Sequence, residues 1–262
     1  MIIKGAGDIG SGIALRLFHA GFAIALTEIP QPMAVRRTVS FCRAVYEGTA
    51  QVEDAVGVLV PDDAGLREAL EKKRIPILVD PAGAAVKRLK PAGLIDAILG
   101  KRNLGTRITD APIVIGLGPG FIAGLDCHAV IETQRGHTLG RVITKGGALP
   151  NTGVPGDIGG FTIERLLRAE ADGIFEGKAE IGDSVKKGDL VGIIHTEKAP
   201  DVPIRAGLDG ILRGILPSGI AVWKGLKAGD IDPRCERAHC FTVSDKALAI
   251  AGGVLEALLR RR

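Results

Sequence analysis

Gly5, Gly7 and Gly10 stand in the order G-x-G-x-x-G, after the apolar run MIIK and before a helix-patterned stretch. In that setting the first glycine permits a tight turn and the second lets a pyrophosphate approach the backbone. The third allows close helix–strand packing, and the helix N-terminus faces the anion. Glu28 closes the next apolar run, FAIALTE, where an acid takes ribose hydroxyls. Asp8 sits awkwardly inside the turn: its carboxylate repels a phosphate unless Lys4, Arg36 or a metal offsets it. Two readings stand, a nucleotide or pterin-phosphate site and a scaffold whose glycines serve only packing. Arg36 and Arg37 follow the stiff exit IPQP. Their guanidinium forks suit a ligand's distal phosphate, or they mark a solvated helix face.

A second glycine-rich turn, IGLGPGFIAGLD, exposes the backbone at Gly116, Gly118 and Gly120 beyond another strand-like run. The following stretch, CHAVIETQRGHTLGRVI, concentrates His128, Glu132, Arg135, His137 and Arg141. His137 and Arg141 read as a pocket rim and His128 as a structural histidine. Asn151, on the loop PNTGVPGDIGG, is placed to cover a ligand. His137 and Cys240 are the two catalytic candidates, and whether the chain is an enzyme stays open. Cys235, His239 and Cys240 offer zinc-type donors, but with no evident fourth ligand and without finger spacing. The rival readings are a reactive or persulfide-bearing thiol favoured by Arg234, Arg237 and His239, and a buried inert cysteine. No Ser-His-Asp order, metalloprotease helix or Walker lysine motif appears.

These residues need elements to hold them. Short apolar runs alternate with helical patterns at 9–20 and 63–73, which predicts an α/β fold with a Rossmann-like parallel sheet over 1–164. Beyond it the chain repeats itself 37 residues on: ADGIFEGKAEIGDSVKKG against LDGILRGILPSGIAVWKG. Each copy is too small for a core of its own, so the two must pack together. The pattern over 165–235 resembles the barrel-sandwich hybrid of lipoyl and biotinyl domains. In such carriers the modified lysine lies on the joining hairpin, here HTEKAPDVP with Lys198. Pro200 and Pro203 crowd that turn, which favours a scaffold module over a carrier. Residues 236–262 are predicted to form a C-terminal helix capped by Ser244. It buries Leu248, Ala251, Leu255 and Leu258 or Leu259 against the first domain, and Arg260, Arg261 and Arg262 finish it.

The formal net charge is +4, with one Trp and one Tyr, and basic blocks interleaved with aromatics are absent. Nucleic-acid binding therefore has little support. No apolar run approaches the roughly 20 residues of a bilayer span, and the N-terminal strand leaves no room for a signal peptide. With four cysteines and no disulfide framework, the expected location is the cytoplasm.

Taken together, IKGAGDIGSGIALRLFHAGF, TEIPQPMAVRRTVSF, VIGLGPGFIAGLDCHAVIETQRGHTLGRVI, NTGVPG, KAGDIDPR and SDKALAIAGGVLEAL resemble one family. It is the YqeB-type accessory proteins of selenium-dependent molybdenum hydroxylase systems. The resemblance implies a role in maturation or cofactor supply, a molybdenum hydroxylase client as partner, and a molybdopterin dinucleotide as ligand. A pterin dinucleotide carries the pyrophosphate that such a glycine turn holds, and so does NAD(P). An NAD(P)-dependent oxidoreductase with His137 as acid is the first alternative, and a carrier or interaction module the second. The repeat module would position the client or support a homo-oligomer.

Overall fold

The computed structural model describes residues 1–197 and 199–260, in two compact units. The first comprises Met1–Pro32, Val39–Thr152 and the chain from Val243 onward; the second comprises Met33–Thr38 and Gly153–Thr242. The second unit thus starts before residue 165, takes in a short early segment, and includes the 236–242 stretch expected with the C-terminal helix. Lys198, Arg261 and Arg262 lie outside the described residues, and with them the carrier-lysine reading.

In the first unit, β1 (Ile2–Lys4), α1 (Asp8–His19) and β2 (Ala25–Glu28) follow the expected order. Then come α2 (Ala44–Glu47), β3 (Thr49–Val52), β4 (Ala55–Leu59), α3 (Asp63–Glu71), β5 (Ile75–Val79) and α4 (Ala84–Leu89). β6 (Leu94–Asp96), β7 (Val114–Leu117), β8 (Ala129–Ile131) and β9 (Val142–Ile143) complete one nine-stranded sheet, ordered β3-β4-β5-β2-β1-β6-β7-β8-β9. Strands β6, β7 and β8 are buried at every position, as continuous apolar runs are when both faces of a sheet are covered.

The Rossmann-like parallel sheet predicted from sequence is corrected here. The sheet is mixed, because β3 pairs antiparallel with β4 and β9 antiparallel with β8. The first edge arises from a two-residue link, Glu53-Asp54, with Glu53 at φ +51°. Such a link can only return the chain antiparallel. Glu-Asp lacks the Asn-Gly signature of tight hairpins, so TAQV does not announce itself as a strand.

In the second unit the strands are β10 (Leu166–Arg168), β11 (Gly173–Gly177), β12 (Ser184–Val185), β13 (Leu190–His195), β14 (Val202–Arg205), β15 (Gly210–Ile215), β16 (Ala221–Val222) and β17 (Lys227–Asp232). They form two four-stranded antiparallel sheets, β10-β17-β15-β12 and β14-β13-β11-β16. The lipoyl/biotinyl-like barrel-sandwich expectation is replaced by this pair of sheets with Met33–Thr38 added to it. Ile215 N–H donates to the Val35 carbonyl at 2.9 Å, and Thr38 Oγ1 donates to the Cys240 carbonyl.

The internal repeat governs the strand pairing. β10 to β13 recur as β14 to β17, and each sheet draws two strands from each copy. Asp209 accepts the Lys187 amide at 2.8 Å, and Asp172 accepts the Lys224 amide at 2.7 Å. Each copy's aspartate therefore holds the Lys-Gly turn of the other. Phe175, Val191 and Ile194 from one copy share a core with Leu212, Ile215 and Ile231 from the other.

The C-terminal helix α5 (Asp245–Leu259) begins at Ser244, whose hydroxyl accepts the Ala247 amide. It packs along α1 within the first unit. Its buried face carries Ala247, Ile250, Ala251, Val254, Ala257 and Leu258, so Ala251 and Leu258 are buried as expected, Leu255 is half-buried, and Leu248 and Leu259 are exposed. Small residues bring α1 and α5 close: a Cβ on Gly12 would stand 2.8 Å from the Ala247 Cβ. No described helix is long and apolar enough to cross a membrane.

A Cβ on Gly253 would lie 2.1 Å from the Gly140 carbonyl oxygen, whereas Gly252 has open space. Gly253→Ala should lower stability by about 2 kcal/mol, backbone overlap outweighing the gain in helix propensity. Gly252→Ala should raise it by up to about 1 kcal/mol. Urea midpoints of the two variants check this pair.

Candidate functional site

Ligands of open α/β sheets bind outside the carboxyl ends of the strands, where the strand order reverses. Here the chain winds from β1 through β2 to one side and later resumes at β6 on the other, so the reversal lies between β1 and β6. The Gly5–Gly10 turn leaves β1 at that point.

Backbone contacts explain two of the three glycines. Gly5 has φ +92°, and a Cβ there would stand 2.9 Å from the Ala97 carbonyl oxygen. A Cβ on Gly10 would lie 2.0 Å from the Gly5 carbonyl oxygen, so α1 can seat on the turn only without it. Gly7 is the N-cap of α1 in extended conformation, and as a glycine it has no side chain with which to cap the helix. Asp8 occupies its first turn, where a carboxylate complements the helix dipole.

Glu28 closes the turn from the side. Its carboxylate accepts the Ala6 amide at 2.9 Å and the Ile29 amide at 2.8 Å. Burial pushes its carboxyl above the ordinary value, against the pull of the two amides. Each oxygen keeps a lone pair, the capacity needed to accept a vicinal diol.

Beside the turn lies a group that sequence reading missed. The Lys4 ammonium donates to Thr106 Oγ1 at 2.8 Å, and that hydroxyl donates to Asp96 Oδ2 at 2.6 Å. Asp96 is buried at the end of β6 and also accepts the Ile98 amide. The available signal was an aspartate inside an otherwise apolar strand run, LIDAIL. Lys4 is therefore engaged locally. Arg36, the other counter-charge invoked for Asp8, belongs to the second unit, where its Nη2 donates to the His239 and Thr242 carbonyls. Arg37 Nε donates to the Ile215 carbonyl. Arg36 is buried and Arg37 half-buried, and both belong to the second unit, not to the one that holds the glycine turn.

The second glycine turn is held by packing. Cβ atoms at Gly116, Gly118 and Gly120 would meet the Phe121 ring, Thr133 Oγ1 and the Arg102 backbone, each within 2.5 Å. Buried Glu132 gathers the rim. Its carboxylate accepts the Thr133, Gln134 and Leu149 amides, each at 2.8 Å, and its own amide donates to the Arg141 carbonyl. His137, Arg141 and Asn151 are exposed. His128 Nδ1 accepts the Val114 amide, a structural role. Arg135 forms a two-pronged pair with Asp245 at the start of α5.

Among the cysteines, Cys240 is fully buried with its thiol toward the Leu212 carbonyl. Burial raises its pKa against the charges of Arg36 and Arg213, which opposes thiolate chemistry. Cys127 is buried and pushed up to about 11. Cys235 is exposed, in a left-handed conformation. Among the described residues no three His, Cys, Asp or Glu side chains are grouped to hold a metal, so Cys235, His239 and Cys240 are not brought together as ligands.

Thr106→Val should cost about 1.5–3 kcal/mol, because it strips buried Asp96 and Lys4 of a shared charge-assisted partner; chemical denaturation measures it. Glu28 should act through pH. Its folded pKa lies above its ordinary value of 4.5, so the folded state holds the proton more tightly. Stability of the wild type relative to Glu28→Gln should fall as pH rises from 4.5 through the folded pKa, then level off. Denaturation midpoints across a pH series check this.

No protein-family model matches the sequence. Among solved structures, an aspartoacylase family protein from Mesorhizobium loti aligns over 88% of this chain and 83% of its own, at 15% identity and a TM-score of 0.28. A succinylglutamate desuccinylase from Silicibacter sp. TM1040 gives the same identity, coverage and TM-score. Likenesses that slight carry no conclusion about fold or chemistry. The uncharacterized protein YqeB of Escherichia coli strain K12 is 51% identical over 259 residues, 99% of this chain and 47% of that protein. The chain spans about half the length of the curated relative it matches, and over that span the similarity supports a YqeB-type family for it.

Proposed function

We propose that this chain is an accessory protein that binds a pterin dinucleotide or related nucleotide cofactor at the turn between β1 and α1. It would serve the maturation or cofactor supply of selenium-dependent molybdenum hydroxylases, with such an enzyme as its client. The observation that carries the binding reading is the N-terminus of α1, with a glycine in place of a capping side chain, at the point where the strand order reverses. Its amides and dipole suit a pyrophosphate, and the remaining lone pairs of Glu28 suit a ribose diol. A bound pterin dinucleotide would bring the molybdenum-ligating dithiolene; the chain's own part is to hold the nucleotide end. The hydroxylase context rests on the stretches of sequence that resemble that family.

The test is titration of the whole protein with molybdopterin dinucleotide, NAD(H), NADP(H) and CTP, followed by native mass spectrometry. Gly7 has φ −68° and ψ −176°, which any residue adopts. Gly7→Val should therefore lower the thermal midpoint only slightly, valine being a weaker N-cap than glycine, and lose the ligand, because its side chain blocks the approach of a phosphate. Retained affinity in that variant overturns the turn as the binding site. Selective retention of NAD(P) in place of the pterin dinucleotide replaces this reading with a dehydrogenase.

A further inference from the structure

The second unit contains a buried cationic group that the proposed cofactor site does not use. Arg213, on β15, is 6% exposed. Its Nη1 donates to Asp232 Oδ2 at 3.3 Å, while its Nε is buried and meets no acceptor. A buried N–H on a charged guanidinium with nothing to receive it is costly, and such groups in native folds call for an explanation.

A second orphan stands next to it. His239 Nδ1 is also buried without a hydrogen bond, 3.9 Å from the same Asp232 oxygen. Yet 40% of the His239 side chain is exposed, so part of the ring meets solvent while its Nδ1 does not. Asp232 has little left to offer either group. Its Oδ1 already accepts Arg234 N and Nε, and its Oδ2 accepts Arg234 Nη2 at 2.6 Å. Burial pushes the Asp232 carboxyl up, but the Arg234 hydrogen bonds and the Arg234 and Arg213 charges outweigh it and hold it at about 2. Two guanidinium groups thus share one carboxylate, and of the two only Arg213 is buried. The nearby acid Glu236 is turned to the Ala238 amide. The 237–240 turn that carries His239 is held in place by Arg36, through its bonds to the His239 and Thr242 carbonyls.

We infer that Arg213 and His239 form a binding site for an oxyanion, the phosphate or carboxylate group of a small ligand. The free Nε–H of Arg213 meets one oxygen and the His239 Nδ1–H another. This goes beyond the proposed cofactor turn, which lies in the first unit; either can fail without the other.

The experiment uses the full chain labelled with nitrogen-15, titrated with inorganic phosphate, acetate and chloride at constant ionic strength. The Arg213 Nε–H and His239 ring resonances should shift saturably with an oxyanion and not with chloride. A response to phosphate alone identifies a phosphate ligand, and one to acetate alone a carboxylate ligand. Arg213→Lys keeps the charge but loses the fork, and should weaken binding about tenfold or more. His239→Gln, at a partly exposed ring, provides a second variant if the buried one fails to fold, and should also weaken it. A wild-type protein whose Arg213 resonance shows no saturable shift in the millimolar range overturns the site. So does a shift that both variants leave unchanged.

Discussion

The first unit depends on a helix that must touch backbone on one side and another helix on the other. Gly10 lets α1 sit against the Gly5 carbonyl, and Gly12 lets α5 approach through Ala247. Glycine inside a helix costs about 1 kcal/mol relative to alanine. That cost is offset by the burial of Ile9, Ile13 and Leu17, each with at most 5% of its surface exposed. The same seating brings the N-terminus of α1 to the carboxyl end of central strand β1. The candidate site is therefore a consequence of how the core closes, and Gly5 and Gly10 serve the packing that closes it.

The second unit solves a different problem. Neither copy of its repeat has strands long enough to cover a core, since β12 and β16 are two residues each. Exchange of strands between copies gives each sheet four members and makes the apolar faces meet. The reciprocal aspartates, Asp172 and Asp209, sit outside that core and fasten the turns that the exchange creates. Buried charge in this unit is paired where it is structural, as in Arg165 with Asp230 at 3.0 Å. Asp230 also faces Lys227 at 3.8 Å, and Asp232 is likewise shared, between Arg213 and Arg234. What sets the Asp232 group apart is the Arg213 Nε, buried without an acceptor.

Much of the local structure was legible in the chain. Apolar runs marked β1, β2, β4, β5, β6 and β7, and period and capping marked α1, α3 and α5, because these signals act over a few residues. The repeat was visible as well, since Asp-Gly-Ile and the Lys-Gly turns recur in register. Strand β3 was hidden by a Glu-Asp link that lacks the usual turn residues. Around the glycine turn, Gly5, Gly10 and Glu28 could be read in advance, whereas the Lys4–Thr106–Asp96 group could not: its members are far apart in sequence.

What the sequence by itself determined is the order of elements, the glycine turn and the twofold copy in the second half. Tertiary structure alone decided sheet edges, strand exchange and the use of each charge. Arg36 and Arg37 look like hands for a ligand when read as Arg-Arg beside an acid, yet in the fold they reach backbone carbonyls of the second unit. The physical reason is that a guanidinium offers five donors to whatever acceptor its surroundings supply. Periodicity and spacing report which residues share a face, but not what that face will meet.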